Sequence, residues 1–193
     1  MLPELVVASA NPDKVKEISS VLDGLVALIP RPDHLPDVVE DGDTLEDNAR
    51  LKAQAILKAT GIAALSDDTG LSVDALGGEP GVHSARYSGE NATYEENVEK
   101  LLQKLDGVPP RLRTARFKTV AMICYPDGSE IIATGVVEGM ISESRKGDQG
   151  FGYDPVFIPY EGDGSSFAEM GEEKHGISHR GRALRNLVEM INS

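Results

Sequence analysis

The amino-acid sequence predicts an α/β fold, a mixed sheet flanked by helices, and three observations carry that expectation. Short apolar runs alternate with amphipathic stretches in the order β-α-β-α-β, followed by a hairpin, a strand and a helix. A strong turn signal, Pro126-Asp127-Gly128, divides one long apolar segment into two strands. The composition is that of a globular chain: 40% apolar and 26% charged residues, with 20 Gly and 11 Pro, far from the profile of disorder. At 193 residues a single domain over 1–193, or two lobes sharing a core, buries roughly two thirds of its unfolded surface.

The elements follow in order. Glu4 to Ser9 (ELVVAS) reads as a short buried strand, and Asn11-Pro12 opens a helix, since proline's missing N–H costs nothing in a first turn. Val15, Ile18 and Leu22 form the apolar stripe of that helix. A second strand at Leu25 to Ile29 leads into the proline-rich Ile29 to Asp37, which is loop because proline breaks a helix interior. From Asp43 to Gly61 a polar cap, acidic first-turn residues and a terminal glycine mark a long helix. Ile62 to Leu65 is a strand, Thr93 to Leu105 a helix, and Arg113 to Gly139 the hairpin. The last helix, Arg180 to Ile191, carries Leu184, Leu187, Val188 and Ile191 on one face.

The charge of -13 argues against a protein that tracks nucleic acid, which requires a basic surface stripe. A few gathered cations and a divalent metal still allow an acidic protein to bind a phosphorylated small molecule. No apolar run approaches the ~18 residues of a membrane span, and no signal peptide is recognisable. A lone cysteine, Cys124 in VAMICY, excludes an internal disulfide and reads as a buried strand residue. A cytoplasmic location is expected.

Four segments carry chemistry. At SANPDK a strand meets a helix N-terminus, where Ser9, Asn11 and Lys14 either cap an ordinary helix or meet phosphate. The Walker A spacing is missing. Lys52 falls inside the stripe of Leu45, Ala49 and Ile56, with Asn48 close by, so it must snorkel out or meet an anion. Ser66 to Gly89 packs Asp67, Asp68, Asp74, five glycines, Arg86 and Tyr87 after a strand: either a magnesium site or a solvated acidic turn. Glu40 or Asp41 could add a carboxylate. Finally, Phe151, Gly152, Tyr153 and Asp154 offer an aromatic face and a polar edge suited to a nucleobase, or else core packing. Lys174, His179 and Arg180 put donors near a helix start.

Taken in order, SANPDKVKE, TLEDNARLKA, SDDTGLSVDALGGEPGVHSARYSG, RTARF, GFGYDPVF and EEKHGISHRGRAL resemble the inosine triphosphate pyrophosphatase family, also called dITP/XTP pyrophosphatases, over nearly the whole chain. The resemblance implies Mg²⁺-dependent hydrolysis of a nucleoside triphosphate between the α and β phosphates, favouring ITP, dITP and XTP. It also implies an elongated two-lobed α/β fold around a twisted mixed sheet flanked by helices, with the active-site cleft between the lobes, and a homodimer. By matched position, Ser9, Ala10, Asn11, Pro12, Asp13 and Lys14 correspond to the triphosphate loop and Lys52 to the inward phosphate-binding lysine. Asp68 corresponds to the acid-base and metal position, Glu40 to the other metal carboxylate, and Thr69 to a substrate contact. Phe151, Gly152, Tyr153, Asp154, Lys174, His179 and Arg180 resemble the base and substrate contacts. Ala10 and Thr69 depart from the family pattern, and Ala10 lacks the backbone freedom of glycine. Two rival readings are a Maf-type nucleotide pyrophosphatase, whose opening has Ser-x-Ser-Pro-Arg-Arg character, and a nucleotide-binding regulatory module without turnover.

Overall fold

The computed structural model describes residues 2–192. Seven strands, β1 (Glu4–Val7), β2 (Ala27–Ile29), β3 (Ala64–Val73), β4 (Pro80–Gly81), β5 (Thr114–Cys124), β6 (Glu130–Ile141) and β7 (Phe157–Pro159), form one sheet. Its order is β2-β1-β3-β5-β6-β7, with β4 paired to β3. The sheet is mixed: β1 runs parallel to β2 and β3, whereas β4 and β7 run antiparallel to β3 and β6. Parallel neighbours need crossovers, and the helices α1 (Pro12–Leu22) and α2 (Leu45–Thr60) lie on the connections that supply them. Three further helices follow: α3 (Tyr94–Lys104), α4 (Phe167–Met170) and α5 (His179–Ile191).

The chain divides into two compact units, each with its own apolar core. The first comprises the residues up to Asp68, Thr119–Gly135 and the segment from His179 onward. Its core joins Leu5, Ile18, Leu65, Ile123, Leu184 and Leu187, and α1 packs on α5. The second comprises Thr69–Lys118 and Val136–Ser178, cored by Leu71, Leu101, Phe117, Phe157 and Phe167.

Local chemistry sets the helix ends where the sequence indicates. Asn11 caps α1 by accepting from the Asp13 and Lys14 amides, and Pro12 follows as its first residue. Thr44 caps α2, which closes on Gly61 at φ 70°, a left-handed conformation that favours glycine. Thr93 and Glu96 form a capping box on α3.

The largest difference from expectation is β3. Propensity ends that strand at Leu65, because aspartate and glycine are poor strand formers, yet the strand runs on through Asp67 and Asp68 to Val73. Both carboxylates are buried and meet cations there, which offsets the cost of placing them in a sheet. Asp67 and Asp68 therefore sit in the middle of a strand and not on a turn after one. The short α4 also went unexpected, although Ser166 and Glu169 form a capping box at its start.

Gly135 marks where β6 meets α5. A Cβ at this position would lie 2.0 Å from the His179 carbonyl oxygen and 2.5 Å from the Ala183 nitrogen, both main-chain atoms. Replacing Gly135 with Ala is expected to cost about 1–3 kcal/mol through overpacking. A melting temperature equal to that of the wild type would remove this account.

Candidate active site

In the first unit, α2 carries Lys52 on the same face as Leu45, Ala49 and Ile56, all four buried. The lysine meets anions: its Nζ lies 3.0 Å from Glu40 Oε1 and 3.2 Å from Asp68 Oδ1. Glu40 reaches it because the chain before α2 folds closely over the first turn of the helix. There the Gly42 amide donates to Asn48 Oδ1 at 2.9 Å, and a Cβ on Gly42 would lie 2.6 Å from the Asp47 Cβ. Asn48 in turn donates to Asp68 Oδ2 at 3.3 Å.

Asp67 faces two cations, Lys14 and Arg180. Lys14 Nζ lies 3.6 Å from Asp67 and 3.9 Å from Asp68, while Arg180 Nε donates to Asp67 at 3.0 Å. Arg180 Nη1 also bonds Glu17, so two of its donors are committed to carboxylates. The result is a chain of alternating charge, Glu17–Arg180–Asp67–Lys14–Asp68–Lys52–Glu40, spread over α1, α2, β3, α5 and the segment before α2.

The two adjacent carboxylates respond differently. Burial opposes the Asp67 charge, but Lys14, Arg180 and Lys52 outweigh it and hold this carboxyl well below the usual range. Burial dominates at Asp68 and raises it, against the pull of Lys52 and Lys14. Burial likewise lowers Lys14, assisted by the Lys52 and Arg180 charges, despite Asp67 and Asp68. At Lys52 burial is outweighed by Asp68, Asp67 and Glu40, and the ammonium is favoured.

The start of α1 is tightly self-bonded. Ser9 Oγ accepts from the Asn11 amide at 3.2 Å, and Asn11 Oδ1 takes the Asp13 amide at 2.9 Å and the Lys14 amide at 3.3 Å. Ala10 is exposed, and no non-glycine among the described residues has a positive φ, so this turn does not require a glycine at Ala10. At the start of α5, His179 Nδ1 and Thr119 Oγ1 lie 2.7 Å apart. Thr69 continues β3 after Asp68 and is half-buried.

In the second unit, residues 150–154 form a turn organised by Asp154. Its Oδ2 accepts from the Phe151 amide at 2.9 Å and from Lys174 Nζ at 2.5 Å. Gly150, at φ 72°, allows this approach, since a Cβ there would lie 2.1 Å from that oxygen. Gly152 is also left-handed. Lys174 Nζ sits 5.3 Å from the centre of the half-buried Phe151 ring. Tyr153 belongs to the core, with its hydroxyl donating to the Ser84 carbonyl at 2.9 Å.

The sequence-derived candidates thus gather as Lys14, Glu40, Lys52, Asp67, Asp68 and Arg180 in one unit, and as Phe151, Asp154 and Lys174 in the other. Arg86 lies 3.7 Å from Glu90, as part of the second unit. Two participants carry little signal in the sequence. Glu17 lies off the apolar stripe of α1, about 100° from Ile18, and its only sequence signal is its place one turn after Lys14. Tyr94 packs on Phe151 from the first residue of α3, and nothing in its local sequence indicates so.

An α/β sheet carrying a buried centre of interleaved carboxylates, lysines and an arginine defines a class of protein suited to phosphate chemistry, in which placed charge does most of the work. Comparison with known proteins places it more narrowly. The chain belongs to the Ham1 family, whose profile matches residues 5–190. It is 48% identical to a dITP/XTP pyrophosphatase of Geobacter sulfurreducens, over 98% of this chain and 97% of that one. It is 47% identical to the protein of the same name from Caldanaerobacter subterraneus subsp. tengcongensis, over 97% and 95%. Among solved structures it is similar to a HAM1 protein from Coxiella burnetii, with a TM-score of 0.88, 38% identity and 99% of both chains covered. The Ham1 protein of Staphylococcus aureus gives a TM-score of 0.85 at 38% identity, over 98% of both chains. No helix among the described residues is long and apolar enough to cross a membrane.

Proposed function

We propose that this chain hydrolyses the triphosphates of deaminated purines, dITP, XTP and ITP, to the nucleoside monophosphate and pyrophosphate. Family membership and the names of its relatives support the substrate class. The observation that carries the chemistry is the placement of Asp68, a carboxylate pushed upward by burial and held between Lys52, Lys14 and Asn48. A carboxylate of raised pKa, fixed in place, is suited to accept a proton from water. As the water oxygen bonds to phosphorus and the bridge between the α and β phosphates breaks, Asp68 takes the proton. Lys14 and Lys52 offset the charge on the polyphosphate, and no protein nucleophile is needed. Lys174 serves as a further cation in the second unit, where Phe151 provides a face for the base.

The donor set also supports a divalent cation. Glu40 and Asp68 converge on one ammonium, at 3.0 and 3.2 Å, so two hard oxygen donors already face a single positive centre. That combination suits Mg²⁺, which binds through one or two carboxylates and substrate phosphates, and does not suit a closed protein cage. Glu40 and Asp68 would hold it, and when bound it supplies positive charge that polarises the phosphoryl oxygens.

Selectivity follows from hydrogen-bond polarity. A purine 6-oxo group accepts from a donor such as His179, whereas the adenine amino group leaves that donor unpaired, a loss of about 10- to 100-fold. The reading includes a homodimer in the cytoplasm, and light scattering in solution checks the oligomeric state.

The test is pyrophosphate release from ITP, dITP, XTP, GTP, ATP and dTTP with Mg²⁺ and then with a chelator. Turnover of the three deaminated purines that collapses on chelation is the expected result. Equal rates on ATP would refute the selectivity, and undiminished activity in chelator would refute the cation.

A further inference from the structure

The turn carrying Phe151 has an unusual problem of placement. Phe151 stands between Gly150 and Gly152, both at positive φ and neither with a side chain to restrain it. Its amide is held by Asp154 at 2.9 Å, which fixes the backbone but leaves the direction of the ring to be set by what packs on it. Lys174 Nζ, 5.3 Å from the ring centre, and the Tyr94 ring, with centroids 5.6 Å apart and planes tilted by 42°, both pack on it. Tilted aromatic pairs at such separations are favourable, so Tyr94 gives Phe151 a preferred orientation.

Tyr94 is itself anchored. It is the first residue of α3, inside the Thr93–Glu96 capping box, in which the Glu96 amide donates to Thr93 Oγ1 and the Thr93 amide donates to Glu96 Oε2. A separate contact ties the same helical turn to the β6–β7 connection, since Arg145 Nη2 donates to the Glu95 carbonyl at 2.8 Å. That connection is braced in turn: the Lys146 amide donates to the Pro155 carbonyl at 2.8 Å, and Ser166 Oγ donates to the Lys146 carbonyl at 2.7 Å. The first turn of α3 is therefore a fixed platform against which the Phe151 ring rests.

We infer that Tyr94 is a positioning residue for the purine base: it holds the Phe151 ring in the orientation that stacks on the nucleobase, and so contributes to nucleotide affinity without touching the phosphates. The inference rests on the reading of Phe151 as the base platform.

The variants are Tyr94→Leu, which keeps apolar bulk but removes the ring, Tyr94→Phe, which keeps the ring, and Phe151→Leu. ITP is the substrate, and inorganic tripolyphosphate, which carries no base, is the competing inhibitor. Tyr94→Leu is expected to raise KM for ITP roughly two- to tenfold, the range of a lost aromatic pair. It should leave kcat and the inhibition constant of tripolyphosphate in place, and Tyr94→Phe should keep the wild-type KM. An unchanged KM in Tyr94→Leu, or tripolyphosphate inhibition that weakens in parallel with KM, overturns the inference. Phe151→Leu separates the two layers. If it raises KM while Tyr94→Leu does not, the positioning role alone is lost; if it leaves KM unchanged, the base platform falls and the inference falls with it.

Discussion

Replacing Asp68 with Asn is expected to lower kcat for pyrophosphate release by about 10²- to 10⁴-fold, the usual contribution of a positioned proton acceptor. The substitution keeps the shape of the side chain. An amide oxygen still accepts from Asn48, Lys52 retains Glu40, and Lys14 retains Asp67. The melting temperature should therefore move by no more than about 4 °C, a shift equivalent to roughly 1 kcal/mol in a chain of this size. The contrast with Asp67 sharpens the forecast. Two carboxylates stand side by side on β3, and their surroundings push them in opposite directions. Asp67, kept ionised by Lys14 and Arg180, is a poor proton acceptor, while Asp68 is the better one. Near-normal turnover by Asp68→Asn would remove the proposed chemistry.

Replacing Arg180 with Met is expected to cost about 3–5 kcal/mol of stability, because it removes one partner of a buried ion-pair network. Arg180 is 3% exposed, Asp67 2% and Glu17 8%, so water cannot take over the lost pairing. Asp67 keeps Lys14, whereas Glu17 loses its bond to Nη1. Urea denaturation at neutral pH measures the loss. Adding Glu17→Gln and Asp67→Asn to the Met variant should restore part of it, since removing all the charges costs less than removing one partner. A loss below about 1 kcal/mol for Arg180→Met would put this network on a par with a surface ion pair.

Much of this could be read from the sequence, and the reasons differ by residue. Thr44 and Gly61 act through local backbone geometry, so the limits of α2 were legible, as was the turn at Pro126-Asp127-Gly128. Lys52 was conspicuous because helical periodicity placed a charge in an apolar stripe, and it does meet anions. The extent of β3 was not legible. Local propensity argues against a strand through Asp67 and Asp68, and their cations come from α1, α2 and α5, remote in sequence. Glu17 escaped for the same reason, since its partner Arg180 is 163 residues away. Tyr94 escaped because an aromatic residue at a helix start acquires meaning only from the turn it packs against.

The alternating chain of charges has a consequence for how ligands enter. Three cations, Lys14, Lys52 and Arg180, stand among four carboxylates, Glu17, Glu40, Asp67 and Asp68, leaving one negative charge in excess. The lysines are thus already balanced by carboxylates before any ligand arrives, and a bare triphosphate would add to a negative site. If the proposed divalent cation binds there, it and the nucleotide promote each other's binding, and thermodynamic reciprocity makes the two enhancements equal. On that proposal nucleotide affinity is a property of the pair and has no fixed value until the free cation concentration is specified.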